Sequence, residues 1–245
     1  MTLLEDFSAV VVTTERNGRG GPELLPERLA RATASVLPVD GASISMVFAA
    51  DRRLPLGASG EFATTAERLQ FTVGEGPCLH AQATGEIVVA DEHELALRWP
   101  GFHDALVAHT PIRSVISLPL QRGLTGVGAL DLFFMPPNDL HALPLADGLT
   151  VSREVTSALL APSGPADRGD GGPAWLDAPS TERRARVWQA IGFLNVGLRL
   201  DSSDALAVLR SYAYGDDRSV DEVADDLLAG RLTLDTFSLE GRTSP

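Results

Sequence analysis

The chain has 245 residues and 44% apolar content, which is enough for one large domain or two ordinary ones with packed cores. Its net charge of -13 disfavours nonspecific binding to nucleic acid or to an anionic membrane, because like charges repel. The single cysteine excludes an internal disulfide, Glu5 and Asp6 argue against a secretion signal, and charged residues or prolines interrupt the longest apolar stretches. These features predict a cytoplasmic protein without membrane contact.

The first 160 residues mix helical and strand periodicities. Residues 22–37 place apolar side chains on one helical face, and 42–50 alternate as a half-buried strand does. Three further β-rich runs follow, EIVVAD, SVISLPLQ and GVGALDLFFM, with a short helix GFHDALVAH between them and a closing helix at 146–160. Few long crossovers separate the strands, so we expect an α+β fold with an antiparallel sheet and helices on one face.

The only cysteine lies in the stretch GEGPCLH at 74–80. Gly74 and Gly76 suit turns, and Pro77 suits the first position of a short helix that Gly85 ends. In that helix Cys78 and a histidine two positions later point about 200° apart, so the histidine is poorly placed to activate the thiol. We therefore interpret the cysteine as a buried packing residue, with a redox or ligand-contacting thiol as the alternative.

The order GEGPC, short helix, IVVAD, RWPGF, SVISLPL and GVGALDLF resembles the GAF sensor domain over about residues 24–160, most strongly over 71–134. The resemblance implies an antiparallel sheet of about six strands, a pocket for a small-molecule ligand, and helices that dimerise. Phe71 and Cys78 are the candidate ligand contacts. The family's ligands vary too widely for any one of them to be transferred.

No catalytic constellation stands out in the sequence. The five histidines form no i, i+4 pair, and no glycine-rich phosphate loop or nucleophile motif is present. We therefore predict no catalytic residues, no metal site and no cofactor, and a protein that is not an enzyme.

A stretch with four prolines and four glycines, residues 161–179, predicts a flexible linker. It divides the chain into a GAF-like sensor domain at 1–160 and a helical domain at 180–245.

Three amphipathic helices follow the linker. The first opens behind Ser180, the second behind Asp201 or Ser202, and the third behind a capping box formed by Ser219 and Glu222. Their apolar positions recur at helical spacing, which predicts a small all-α bundle. An adaptor bundle is the simplest interpretation of this pattern alone.

The string VWQAIGFLNVGLRLDSSDALAVLRSYAYGDDRSVDEVADDLL resembles the ANTAR domain, the RNA-binding output module of bacterial antitermination regulators. The matching positions are Ala190, Gly192, Leu198, Ala205, Leu209, Arg210, Ala213, Ser219, Val223 and Ala224. The resemblance implies a homodimer, controlled by the sensor, that binds structured RNA hairpins in leader transcripts and prevents terminator formation.

Phosphate contacts in this output domain would come from a few arginines. The candidates are Arg210 and Arg218, together with Arg199 and Arg231. Between 180 and 245 eight arginines stand against eleven acidic residues, a balance that opposes RNA binding. The alternative is a dimerising protein-interaction regulator whose bundle no longer binds RNA.

Overall fold

The computed structural model describes residues 2–18, 20–49, 52–122, 125–161 and 173–237. Its strands are β1 (Gly41–Ala49), β2 (Arg52–Ala58), β3 (Val88–Ala90), β4 (Ser114–Arg122) and β5 (Thr125–Phe134). They form one antiparallel sheet in the order β2-β1-β5-β4-β3, with helices flanking it. The predicted α+β class is confirmed, with five strands in the described ranges where about six were expected.

The two faces of the sheet differ in polarity, because successive side chains along a strand point to opposite faces. On β1, Ile44 and Met46 lie in the main apolar core, whereas Ser43 and Ser45 point the other way and are buried as well. On β5 the buried Asp131 pairs with Ser43 and lies on that polar face. Helices cover both faces, so the expectation of helices on one face is wrong.

The apolar face carries three helices, α1 (Leu3–Arg16), α2 (Leu25–Val36) and α7 (Leu145–Leu160). The sequence analysis did not assign α1. Its start is nevertheless well defined: the Thr2 hydroxyl accepts a hydrogen bond from the Glu5 amide, and the Glu5 carboxylate accepts one from the Thr2 amide.

The polar face is covered by α3 and α4, with two further helices beside them. These helices are α3 (Glu61–Val73), α4 (Pro77–Thr84), α5 (Glu92–Arg98) and α6 (Pro100–His109). The glycines between α3 and α4 adopt backbone angles that other residues rarely adopt, with φ of 83° at Gly74 and 142° at Gly76. A Cβ atom on Gly76 would lie 2.5 Å from Gln70 Oε1, so this turn requires glycine as predicted.

The predicted linker is partly ordered. Residues 162–172 lie outside the described residues, but Ala174–Asp177 form a 3-10 helix. Trp175 is buried in the core of the sheet domain, where its indole Nε1 donates to Leu159 O at 3.3 Å. The C-terminal end of the predicted linker therefore belongs to the folded sheet domain.

The C-terminal half contains α8 (Pro179–Leu198), α9 (Ser202–Gly215), α10 (Val220–Leu228) and a short α11 (Leu234–Phe237). The first three confirm the predicted helices, and their apolar faces share one core. Ser219 and Glu222 form the predicted capping box, and Asp201 caps α9. Ser180 does not cap α8: it lies inside the helix and donates to Leu56 O of β2 at 3.0 Å. We refer to α8–α11 as the bundle.

Within the described ranges, no helix combines the length and the apolar content that crossing a lipid bilayer requires.

Candidate functional site

Buried polar side chains fill the space between the polar face of the sheet and helices α3 and α4. Asp131 is their centre: it accepts hydrogen bonds from Gln70 Nε2 at 2.9 Å and from Ser117 Oγ at 2.6 Å. Gln70 Oε1 accepts from the Cys78 amide at 2.9 Å, and Ser45 Oγ lies 3.4 Å from Cys78 Sγ. We call these five residues, with Arg53 of β2, the polar cluster.

Burial dominates the electrostatics of Asp131. It raises the pKa of this carboxyl, although the charge of Arg53 and the hydrogen bonds from Ser117 and Gln70 act in the opposite direction. Asp131 therefore holds a proton more readily than an ordinary aspartate does.

Cys78 is fully buried in this cluster. Burial raises the pKa of its thiol, so the nucleophilic thiolate is disfavoured. His80 does not reach it and instead packs against Trp99, with the ring centroids 5.8 Å apart. A ligand contact by Cys78 stays a prediction, as does the absence of enzymatic activity.

The guanidinium of Arg53 is buried without a hydrogen bond from its Nε, Nη1 or Nη2 atoms to any described residue. The nearest carboxylate is that of Glu67 on α3, with Oε1 3.8 Å from Nη2. The sequence analysis missed both residues because it assigned neither β2 nor α3. Burying a guanidinium without hydrogen bonds costs free energy of folding, and such groups are rare. The part of the polar cluster beside Glu67 is therefore chemically unusual.

The bundle docks directly on α3 through a second buried charge group. Arg184 of α8 is completely buried, and its Nη2 lies 3.3 Å from Glu67 Oε2. Its Nε lies 3.2 Å from Asp221 Oδ1 of α10. The side chain of Arg184 therefore joins the two halves of the chain.

Phe71 lies at the centre of the same contact and is buried in the core of the bundle. The guanidinium carbon of Arg184 lies 3.5 Å from the Phe71 ring centroid, and the Trp188 ring packs edge-on at 6.2 Å. The neighbouring Thr72 Oγ1 accepts a hydrogen bond from the Val220 amide at 3.1 Å. Phe71 thus contacts the bundle, and its predicted ligand contact remains untested.

Arg210, the first of the predicted RNA contacts, is part of this docking surface. Its Nε donates to Phe71 O at 2.8 Å. Burial, with the nearby positive charges of Arg184 and Arg53, lowers the pKa of Arg210 to about 10. In the docked arrangement this side chain is therefore held against α3.

The other three candidate arginines lie on the bundle alone. Arg218 and Arg231 both bond Asp226, at 2.6 Å and 2.5 Å. Asp226 holds a lowered pKa because of these two hydrogen bonds. Arg199 is exposed at the end of α8 and adopts a left-handed backbone conformation with φ of 56°. The structure does not bring the four arginines together into one patch, and their RNA contacts stay a prediction.

Three openings lie along the junction between the described parts of the halves, one of about 320 Å³ being lined by α2, β2 and the start of α8. A cleft of about 550 Å³ runs between α3, α6 and the α9–α10 turn, where His109 Nε2 and Asp217 Oδ1 approach to 2.8 Å. A smaller pocket of about 130 Å³ lies between β2, α3 and the first turns of α8 and α10. Among the described residues, no three His, Cys, Asp or Glu side chains are grouped as a metal site would require.

No family model and no curated protein matches the chain. Among solved structures, the GAF domain of an Acinetobacter phosphoenolpyruvate-protein phosphotransferase matches with a TM-score of 0.46 and 16% identity, covering 64% of this chain and 94% of that one. The GAF domain of the phosphoenolpyruvate-protein phosphotransferase from Coxiella burnetii matches with a TM-score of 0.43 and 12% identity, covering 64% of this chain and 94% of that one. Free methionine-R-sulfoxide reductase from Neisseria meningitidis, in complex with its substrate, matches with a TM-score of 0.42 and 15% identity. The match covers 64% of this chain and 89% of that one. Similarity at this level concerns the fold alone.

Proposed function

We propose that the chain is a signal-responsive regulator in which a GAF-like sensor controls an ANTAR-like RNA-binding output by transcription antitermination. The proposal begins from the two sequence resemblances. The observation that carries it is the docking of the bundle on α3, centred on the buried Arg184 between Glu67 and Asp221. Such a contact gives the sensor a direct route to the output.

Helix α3 is suited to transmit a signal because consecutive residues face different parts of the molecule. Gln70 bonds Asp131 and the Cys78 amide in the polar cluster. The next residue, Phe71, packs in the core of the bundle, and Glu67 one turn earlier bonds Arg184. A small-molecule ligand that displaces a polar-cluster side chain would therefore move the docking surface as well.

The docked arrangement withholds one candidate RNA contact. Arg210 bonds Phe71 O, and releasing the bundle would free its guanidinium for phosphate. The lowered pKa of Arg210 also favours release, because docking holds its charge close to those of Arg184 and Arg53. We infer that the docked form is the low-affinity state.

The test is binding of the full chain to a transcript with tandem hairpins, measured between about 50 and 200 mM salt. With about three to five phosphates contacted, the slope of log affinity against log salt is expected to be about -2 to -4. Replacing Arg199 and Arg231 together by alanine should weaken binding and flatten the slope by about 1.4. These two are chosen because neither contributes to the docking surface, whereas Arg210 does.

Arg186→Ala is the matched control, since Arg186 is an exposed arginine of α8 that pairs with Asp225 and is not a candidate contact. It should leave the slope unchanged. An equal effect of the control and the double variant would place the RNA contacts elsewhere.

The alternative is a dimerising protein-interaction regulator without RNA affinity. It is favoured by one observation: Arg218, Arg231 and Arg210 are already bonded within the chain. Hairpin binding at low salt separates the two functions, because both predict a homodimer in analytical ultracentrifugation. A homodimer that binds no hairpin at low salt would support the alternative.

A further inference from the structure

The small pocket at the junction has an unusual charge composition. Its lining includes Arg68 of α3 and Arg183 and Arg184 of α8, with the carboxylates of Glu67 and Asp221 beside them. Three arginines around one pocket are notable in a chain whose net charge is -13.

The charges of the buried groups balance without the two outer arginines. Arg184 lies between Glu67 and Asp221, and Arg53 lies 3.8 Å from the other oxygen of Glu67. These two cations and two anions sum to zero, and Asp131 beyond Arg53 is a carboxyl whose pKa is raised by burial. Arg68 and Arg183 therefore leave an excess of positive charge at the pocket.

Buried polar atoms at this place lack partners among the described residues. Nη1 of the fully buried Arg184 makes no hydrogen bond to a described residue, and neither does Oδ2 of Asp221. The site therefore offers an unused donor beside an unused acceptor, whereas Oε1 of Glu67 faces Arg53 at 3.8 Å. In addition, α8 begins at the pocket with no side chain capping its first amides, and a helix N-terminus favours an anion.

The hydrogen-bonding groups define the ligand class. The pocket, of about 130 Å³, has room for a small oxyanion together with ordered water. A protonated oxyanion has oxygens that accept from arginine and an O–H group that donates to a carboxylate. Phosphate retains such a proton near neutral pH, whereas sulfate does not.

We propose that this pocket binds hydrogen phosphate, free or as the phosphoryl group of a small molecule, between Arg68 of the sensor half and Arg183 and Arg184 of the bundle. Because both halves contact the anion, its binding stabilises the docked arrangement. The site is distinct from the polar cluster under the sheet and does not depend on whether the bundle binds RNA.

The experiment is thermal unfolding of the full chain with increasing inorganic phosphate, at an ionic strength held constant with sodium chloride. A saturable rise in the melting temperature is expected, and a smaller one with sulfate. Arg183→Ala should raise the half-saturating phosphate concentration about tenfold or more, since it removes a charge-assisted hydrogen bond. Arg183 is exposed, so this variant is expected to fold.

Arg186→Ala, three residues along the same helix and outside the pocket, should bind phosphate as the unaltered protein does. Stronger stabilisation by glycerol phosphate than by inorganic phosphate would identify the phosphoryl group of a small molecule as the ligand, and the reverse order would identify free phosphate. Sulfate and phosphate acting equally, or a phosphate response unchanged in Arg183→Ala, would overturn the proposal. No RNA is present, so this result is independent of the proposed output.

Discussion

Asp131 combines burial with two accepted hydrogen bonds, and this determines how its contribution to stability depends on pH. Its pKa is raised above the ordinary value of about 3.9, so the folded state binds its proton more tightly than the unfolded chain does. The contribution of this carboxyl is therefore fully present below about pH 4 and is lost as the pH rises through the raised pKa.

Asp131→Asn should remove this pH dependence. The unaltered protein is expected to exceed the variant in free energy of unfolding by more at pH 4 than at pH 8, as measured by urea denaturation at both values. Ser117→Ala should extend the loss to higher pH, because the Ser117 hydroxyl lowers the pKa of Asp131. A difference between wild type and Asp131→Asn that is the same at every pH would contradict this account.

Individual residues show where the sequence stops being informative. Arg183, Arg184 and Arg186 look alike in a helix that begins nearby, yet Arg184 is completely buried and its two neighbours are exposed. Nothing local distinguishes them, because the partners Glu67 and Asp221 are distant in sequence. By contrast, the capping box of Ser219 is determined by residues three apart and could be predicted.

At the scale of elements, the contact of α8 with α3 and α10 depends on a buried ion pair. Arg184→Ala leaves the buried Asp221 without its partner and Glu67 with Arg53 alone, and we expect it to lower the free energy of unfolding by about 3–5 kcal/mol. Arg186→Ala removes an exposed pair with Asp225, at a cost of about 0–1 kcal/mol. The free energies of unfolding of the two variants are measured by urea denaturation and compared with that of the unaltered protein. Similar costs would mean that Arg184 contributes no more than a surface pair does.

The elements that the sequence predicted are those with a clear period. Helices α8, α9 and α10 and strands β1, β4 and β5 were found from apolar spacing. Strand β2 was missed because RRLPLGA contains two arginines and a proline, which are uncommon in strands. Helix α3 was missed because Glu67 and Gln70 are buried beside its apolar residues, so its buried face is partly polar. Both carry the parts of the candidate sites that sequence analysis did not find.

At the scale of the whole molecule, the composition of 161–179 predicts that proteases cut there first. Arg168 is its only trypsin site. Cleavage at this bond should leave the two halves associated, because the contacts of Arg184, Phe71 and Trp175 do not depend on the bond. Gel filtration under native conditions is expected to show both fragments in one peak.

Arg184→Ala is digested with trypsin and analysed by gel filtration in the same way as the unaltered protein. Because this variant lacks the side chain that joins the halves, a larger share of its fragments should elute separately. If the fragments of the unaltered protein separate completely, the docking contact is too weak to hold the halves together and the proposed control by the sensor fails.

Trp175 has a consequence for how far the bundle can travel. Its indole is held in the core of the sheet domain, and α8 begins at Pro179, four backbone steps later. At about 3.6 Å per step, the first turn of the bundle stays within about 14 Å of that anchor even when α8 leaves α3. So short a tether keeps the local concentration of the bundle around its docking surface high, of millimolar order or above. Release of the bundle from α3 is then a rotation about residues 176–178, which is quickly reversed when the signal ends. The residues before Trp175 do not increase the distance that the bundle can move.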